Sequence, residues 1–264
     1  MKLTCMAQMY NERSIIGPDG RSNLERFLLS IDKYCDALVM YDDASTDKSI
    51  AMLELWNASL PHCDDSVRLK EIHIIRGTTN AFNAEMSHKA LALDKCKQIG
   101  SDWILWLDVD EVIEARGEQG AVRELCEGAK RGAINLFNRN LWRSDRYYRV
   151  DELWNAGLFC RLWRVTDSLH YYRPTPGLHQ DLVPKGIEGR DTKDLRVIHY
   201  GFATDKNILR KYRTYKAHGQ KGRALQRLVD EKTIVLQSAD PAWFTDKEWP
   251  YGPETLLGKI EDMV

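Results

Sequence analysis

The chain has 264 residues, room for one large domain or a domain with an extension, and its 43% hydrophobic content can fill a sizeable core. A formal net charge of −1 demands no polyanionic partner. No apolar run approaches ~18 residues, which excludes a transmembrane helix, and six widely spaced cysteines with no C-x-x-C indicate neither a zinc site nor a disulfide framework.

The first strand-like segment, at 2–9, is preceded by no signal-peptide hydrophobic region; with the cysteine pattern this points to the cytoplasm. Tyr10-Asn11-Glu12-Arg13 follows, then the turn Gly17-Pro18-Asp19-Gly20. Ser22-Asn23-Leu24-Glu25 has the form of a capping box, and Leu24, Phe27, Leu28, Ile31 and Cys35 recur at helical spacing. Residues 37–41 form a second buried strand ending in Asp42-Asp43-Ala44-Ser45-Thr46-Asp47. Thr46 or Asp47 can cap the next helix, whose apolar positions include Ile50, Leu53 and Trp56. Residues 69–75 alternate like a third strand, 80–99 predict a third helix stopped by Gly100, and 103–107 are a fourth strand. This alternation implies an α/β fold with a parallel sheet and right-handed crossovers.

After residue 111 the pattern changes. Residues 117–131 predict a helix, and 133–138, 157–164, 168–172 and 196–202 predict short strands of a smaller mixed sheet packed on the first. Residues 205–237 are expected to be largely helical, with breaks near Gly219 and Gly222. Trp243, Phe244, Trp249 and Tyr251 make the tail too aromatic to stay free, so it folds back or covers a partner. The stretch 206–232 holds nine Lys/Arg against Asp230 and Glu231, which is +7, so the remainder carries −8. It is either a solvated helix face balancing the acids elsewhere or a basic surface turned to something acidic.

The most informative stretch is Trp103-Ile104-Leu105-Trp106-Leu107-Asp108-Val109-Asp110-Glu111, where five apolar residues end in three acids within four positions. In an extended chain residues two apart share a side, so Asp108 and Asp110 stand together beyond the strand. Acids after a strand can simply start a helix. In an open α/β sheet, however, the carboxyl ends of the strands are where ligands bind. Two carboxylates that close repel each other unless a positive group joins them, and a hard divalent cation carrying a phosphorylated ligand meets that need. No G-x-G-x-x-G follows the first strand and no G-x-x-x-x-G-K-[ST] occurs, which excludes an ordinary dinucleotide fold and a P-loop NTPase.

Met6-Ala7-Gln8-Met9-Tyr10-Asn11-Glu12, then Tyr41-Asp42-Asp43-Ala44-Ser45-Thr46-Asp47, then the 103–111 stretch come in order, each at a strand end. Together they resemble the family 2 glycosyltransferases. The likeness covers residues 2–115 and continues loosely through Gly177-Leu178-His179-Gln180-Asp181 and Val197-Ile198-His199-Tyr200-Gly201. It implies the GT-A fold, a Rossmann-like, mostly parallel sheet with a smaller mixed sheet. A nucleotide-sugar-binding half would lie at 1–115, an acceptor-side half at 116–204, and a basic helical extension at 205–264. The implied reaction is an inverting, metal-dependent transfer of a hexosyl group from a nucleoside diphosphate sugar, UDP-linked by preference, to an acceptor hydroxyl. Glycan, lipopolysaccharide or capsule synthesis is the expected setting.

By the same resemblance, Asn11 shapes the first loop, and Glu12 and Asp43 hold the base and ribose. Asp108 faces the ribose and metal-bound water, and Asp110 is the direct metal ligand. Glu111 orients them or starts the next helix. His199 either completes the metal site or is a satisfied core histidine; an imidazole beside carboxylates suits Mn²⁺ better than Mg²⁺. Two departures stand out. Relatives carry His-Glu where this chain has His179-Gln180, and Gln180 cannot take a proton, so the general base is assigned to Asp181, with Asp151 or Glu152 as alternatives. Relatives carry Arg-Asn near Met86-Ser87-His88-Lys89; His88 or Lys89 replaces that cationic diphosphate contact, or both are solvated helix residues.

Rival readings remain. A haloacid-dehalogenase-like phosphatase shares the look of residues 107–112, but its motif sits on the first strand and is followed by Thr. A sugar nucleotidyltransferase wants a glycine-rich first loop, and 6–13 has no glycine. A non-catalytic nucleotide-sugar-binding protein would suit Gln180. Tyr212 and Tyr215, interleaved in the basic stretch, allow a glycosyltransferase acting on modified bases of DNA.

Overall fold

The computed structural model describes residues 1–58, 60, 68–81, 84–151, 154, 157–171, 183–229 and 234–244. Four strands, β1 (Leu3–Met9), β2 (Ala37–Asp42), β3 (Glu71–Arg76) and β4 (Trp103–Trp106), pair in parallel in the order β3-β2-β1-β4. Helices α1 (Asn23–Ile31), α2 (Ser49–Ala58) and α3 (Glu85–Gln98) connect them in turn. The strands are apolar on both sides because both faces are covered. On β1, Leu3, Cys5, Ala7 and Met9 join the core under α1 and α2, whereas Met6 joins the core under α3. On β4, Trp103 and Leu105 take the first face and Ile104 and Trp106 the second.

Helix starts follow local chemistry. Ser22 Oγ accepts the Glu25 N–H at 3.2 Å and caps α1. The third helix begins at Glu85 rather than at 80; before it, the Ala81 N–H donates to Asp43 Oδ1 at 2.9 Å. The helix expected over 117–131 contracts to α4 (Val122–Glu127), preceded by a wide turn in which Gly120 has φ 102°.

The second half does not stack on the first sheet; it extends it. Strands β5 (Glu111–Ile113), β6 (Ala133–Asn140), β8 (Leu158–Arg164) and β9 (Arg190–His199) continue the sheet beyond β4 in the order β4-β8-β6-β9-β5. Pairing is antiparallel at β4–β8, β8–β6 and β9–β5, and parallel at β6–β9. The smaller sheet is the antiparallel pair β7 (Tyr147–Arg149) and β10 (Leu236–Ser238). Three-residue strands such as β5, β7 and β10 carry no readable periodicity, which is why the sequence does not announce them. Of the strand expected at 168–172, residue 172 lies outside the described residues, and the rest shows one bridge, His170 with Lys185. Lys97 Nζ takes the carbonyls of Asp167 (3.1 Å) and Leu169 (2.6 Å), holding that backbone to the end of α3.

Sheet order forces curvature. β5 lies four strands from β4, roughly 19 Å in a flat sheet, yet only residues 107–110 separate them in the chain. Five peptide steps span at most about 18 Å when fully extended, and this stretch is turned, with Glu111 N–H donating to Asp108 O. The sheet therefore curls and brings the ends of β5 and β9 back toward the end of β4.

Helix α5 (Asp205–Ala217) follows β9 and is capped by Thr204, whose Oγ1 accepts the Asn207 N–H at 3.2 Å. It ends before Gly219 (φ 78°), and Gly222 (φ 96°) precedes the short helix α6 (Arg223–Gln226). Trp243 and Phe244 do fold back, Trp243 lying 5.6 Å from the Tyr148 ring, while Trp249 and Tyr251 lie outside the described residues. Among the described residues, no helix is long and apolar enough to cross a membrane.

Leu105 is the joint of this sheet, fully buried and in register with Cys5 on one side and Leu162 on the other. Leu105→Ala is expected to lower the unfolding free energy by about 2–5 kcal/mol, measured by urea denaturation; a loss below about 1 kcal/mol would show the two halves to be loosely joined.

Candidate active site

The parallel strand order reverses between β1 and β4, and the site occupies the crevice at their carboxyl ends. The loop after β1 is held in shape by Asn11, which has φ 59° and ψ 35°, a left-handed conformation that asparagine tolerates. Asn11 Oδ1 accepts the Thr46 N–H at 2.7 Å and the Asp47 N–H at 3.1 Å, and the Asn11 N–H donates to Ser45 Oγ at 2.9 Å. Asp47 accepts from Ser14 N–H (2.9 Å) and Ser49 N–H (2.8 Å), starting α2 and tying it to the first loop. Burial would raise its carboxyl, but the Ser49 and Ser14 hydrogen bonds overcome that and hold it below the usual range.

Asp42 is consumed by the turn, accepting the Ser45 N–H at 3.2 Å. Asp43 is the acid at the end of β2 that faces the crevice, with His88 Nε2 3.8 Å from its Oδ1. The His88 ring stacks on Tyr41 at 4.0 Å. Burial lowers its pKa despite Asp43 and Glu85, which favours the neutral imidazole.

The loop after β4 is closed by Glu111. Its Oε2 accepts the Asp108 N–H at 2.9 Å, its own N–H donates to Asp108 O at 2.9 Å, and its Oε1 accepts from Arg161 at 2.5 Å. Burial raises the Glu111 pKa, the Arg161 guanidinium pulls it down, and Asp108 pushes it up again. Glu111 also starts β5 and pairs with His199 on β9, so the same residue that shapes the loop recruits the histidine. Asn140, opposite His199 on β6, lies 2.6 Å from His199 Nδ1 through its Oδ1, an acceptor when the amide is so oriented. That leaves Nε2 facing Asp110 Oδ2 at 3.2 Å.

Lys211, from α5, completes this corner. Its Nζ lies 2.8 Å from Asp110 Oδ2 and 3.3 Å from His199 Nε2. Burial would raise Asp110, yet Lys211 and His199 hold it well below the carboxylate range; burial would lower Lys211, yet Asp110 holds it raised. The three groups meet in front of Gly201, where a Cβ would lie 2.5 Å from each of their polar atoms, so only glycine fits.

Asn11, Glu12, Asp43, His88, Asp108 and Asp110 all line one cleft of about 490 Å³, and Arg210 and Lys211 line it with them. Glu12 accepts from Asn23 Nδ2 at 2.8 Å. Its carboxyl is pushed up to about 7 by burial and by Asp110, against the pull of Arg210, Asn23 and Lys211. His199 contributes from behind Asp110. Lys89 does not line the cleft: it is fully buried, paired with Glu85, and its ammonium lies 5.0 Å over the Trp106 ring. Asp151 is also outside it, held by Arg149 at 2.5 Å and Arg227 at 3.7 Å. Asp181 and Glu152, with the whole 177–181 motif, lie outside the described residues. Arg210 and Lys211 are the functional candidates that sequence reasoning missed. Their signal was the basic run at 206–232, legible as charge but not as direction.

The expected Mn²⁺ can be tested against these atoms. Asp110 Oδ2 and His199 Nε2 are donors of the right kind at a spacing that one ion could bridge. Among the described residues, however, no group of three or more His, Cys, Asp or Glu is placed to hold a metal. The Lys211 ammonium stands in the same corner. A dication roughly 3 Å from an ammonium costs on the order of 10 kcal/mol even at an effective dielectric of about 20. With Lys211 in place, the corner does not fit a divalent metal.

No family model matches the sequence, and no curated protein matches it. Solved structures do. The S. aureus TarS fragment 1–349 matches with a TM-score of 0.51 at 12% identity, over 86% of this chain and 69% of that one. The fold is that of the GT-A glycosyltransferases. The same TarS fragment in complex with UDP aligns over 53% of this chain and 36% of its own, at 18% identity and TM-score 0.40, so the chain spans about a third of that structure's length. The mannosyltransferase PcManGT from Pyrobaculum calidifontis, in complex with GDP-Man and Mn²⁺, aligns over 52% of this chain and 36% of its own, at 21% identity and TM-score 0.37.

A raised carboxyl inside the cleft has a measurable cost. Glu12 keeps its proton to about pH 7 when folded but loses it near 4.5 when unfolded, so stability falls as pH rises across that window. Glu12→Gln is expected to be more stable than the native chain by on the order of 1–3 kcal/mol at pH 8, with the gap shrinking toward pH 5. Urea unfolding at both pH values measures it, and a gap that does not change with pH would contradict this account.

Proposed function

We propose that the protein is a glycosyltransferase of the family 2 type, moving a hexosyl group from a UDP-linked donor to an acceptor hydroxyl with inversion. The observation that carries the reading is convergence. Asn11 and Glu12 after β1, Asp43 after β2, and Asp108 and Asp110 after β4 share one cleft at the switch point of a GT-A sheet with Arg210 and Lys211. The acids fit the hydroxyls and ring N–H groups of a nucleoside, and the cations fit a diphosphate.

In this reading Asn11 sets the loop, Glu12 and Asp43 hold base and ribose, and Asp108 holds the ribose from the β4 side. His88, neutral and stacked on Tyr41, lines the nucleoside end rather than serving as a cation. As the bond from the anomeric carbon to the phosphate oxygen breaks, negative charge gathers on the diphosphate, and Arg210 and Lys211 are placed to meet it. Asp181 takes the acceptor proton from the opposite face, an assignment that rests on its place in the 177–181 motif. Lys211 sits in the donor corner, so the transferase unit extends past residue 204 into α5.

A saccharide acceptor in glycan, lipopolysaccharide or capsule synthesis suits this arrangement better than DNA, since Arg210 and Lys211 turn part of the basic helix toward the cleft. Buried free thiols at Cys5, Cys35, Cys96, Cys126 and Cys160 are at home in a reducing compartment such as the cytoplasm.

A thermal-shift panel of nucleoside diphosphate sugars tests the donor: a UDP-sugar is expected to raise the melting temperature, and Asp43→Ala to remove most of that shift. Asp181→Asn is expected to leave the shift intact and stop transfer. A panel in which nothing shifts the native chain would end the enzyme reading, whereas transfer by Asp181→Asn would move the base elsewhere.

A further inference from the structure

Lys211 lies on a helix that the sequence presents as a basic surface, yet only 13% of its side chain is exposed. Its ammonium reaches the one point where Asp110 Oδ2 and His199 Nε2 converge, at 2.8 and 3.3 Å. We propose that Lys211 is the resident cation of the donor site, holding the place between Asp110 and His199 that a divalent metal would otherwise take. Nucleotide binding by the native chain then needs no added dication, and removing Lys211 opens the same corner to one. The inference rests on the donor reading above and gives its cation a chemical identity.

Four features support it. First, the lysine is fixed: its Nζ lies 4.8 Å over the Phe202 ring, and its helix is anchored by the Thr204 cap and by Arg143, 2.7 Å from Asp205. Second, its partners are fixed. Asp110 lies on a loop tied down by Glu111 and Arg161, and Asn140 holds the ring of His199 with its Nε2 turned to this corner. Third, the corner is close-packed on its open side: a Cβ on Gly201 would fall 2.5 Å from all three polar atoms, so the glycine there lets Lys211 reach Asp110. Fourth, the valence is right. An ammonium has three N–H donors; Asp110 takes one, and the ammonium also lines the cleft that a diphosphate would enter. Arg210 lines the cleft beside it and adds charge, but the Asp110–His199 corner belongs to Lys211.

Titration calorimetry with UDP, on the native chain and on Lys211→Ala, each in EDTA and in excess Mn²⁺, tests this. Native affinity is expected to agree within about twofold between the two buffers, while Lys211→Ala loses roughly tenfold in EDTA and regains most of it with Mn²⁺. Electron paramagnetic resonance of free Mn²⁺, without nucleotide, gives a second readout. Lys211→Ala is expected to deplete the signal, and the native chain and the Lys211→Ala/Asp110→Asn double variant are not. Lys211→Met, which keeps the stem over Phe202, serves if the alanine variant does not fold. A native chain that binds UDP only with Mn²⁺, or that itself depletes the Mn²⁺ signal, overturns the proposal. So does a Lys211 variant that Mn²⁺ neither rescues nor binds. If the native chain binds UDP in neither buffer, the donor reading falls, and the Mn²⁺ titration still decides what Lys211 does.

Discussion

The structure turns on one electrostatic constraint. Glu12, Asp108, Asp110 and Glu111 bring four carboxylates to the ends of two adjacent strands, and all four cannot be charged there without positive partners. Each solution comes from a different part of the chain. Arg161 on β8 takes Glu111, Lys211 on α5 takes Asp110 with His199 of β9 beside it, and Glu12, hydrogen-bonded to Asn23, has its carboxyl pushed up by burial and by Asp110. Buried ion pairs of this kind are poor sources of stability, because desolvation offsets most of their attraction. Their presence here is better explained by what they do to the cleft: they set its loops and place cations among its acids.

The backbone meets that constraint through the curl of the sheet. Parallel strands β3-β2-β1-β4 create the crevice, and the Arg210 and Lys211 that line it come from the later helix α5. The added strands β8, β6, β9 and β5 run round until β5 and β9 stand beside the 108–110 loop. One short residue, Glu111, joins the two parts. It closes the loop through its side chain and opens the returning strand through its backbone. Gly201, just past β9, then allows α5 to approach closely enough for Lys211 to reach Asp110.

Much of the first half was legible in order. The Ser22 cap, the apolar strands and the acids at their ends follow from period, capping chemistry and turn residues, all of which are local. Those local rules place Asn11, Glu12, Asp43, Asp108 and Asp110 at strand ends. They also misjudge where locality fails. The Ala81 N–H before the third helix is bonded to Asp43, nearly forty positions away, and Lys97 takes the carbonyls of Asp167 and Leu169, contacts that no local pattern announces. His88 and Lys89 are neighbours in sequence, yet one lines the cleft and the other is buried against Glu85 and Trp106, since successive helix residues point about 100° apart.

By itself, then, the sequence determined an α/β chain with a strand-end crevice and a cluster of acids at its mouth, because hydrophobic period and strand-end chemistry are written residue by residue. What only the tertiary structure decided is the sign and source of the charge facing those acids. A run of lysines and arginines has a composition but no direction until a helix is fixed in space, and here the fixing is done by Thr204, Asp205 and a curled sheet that ends beside the cleft. Lys211 became part of the site through distance alone, and distance between segments a hundred residues apart is what a sequence does not contain.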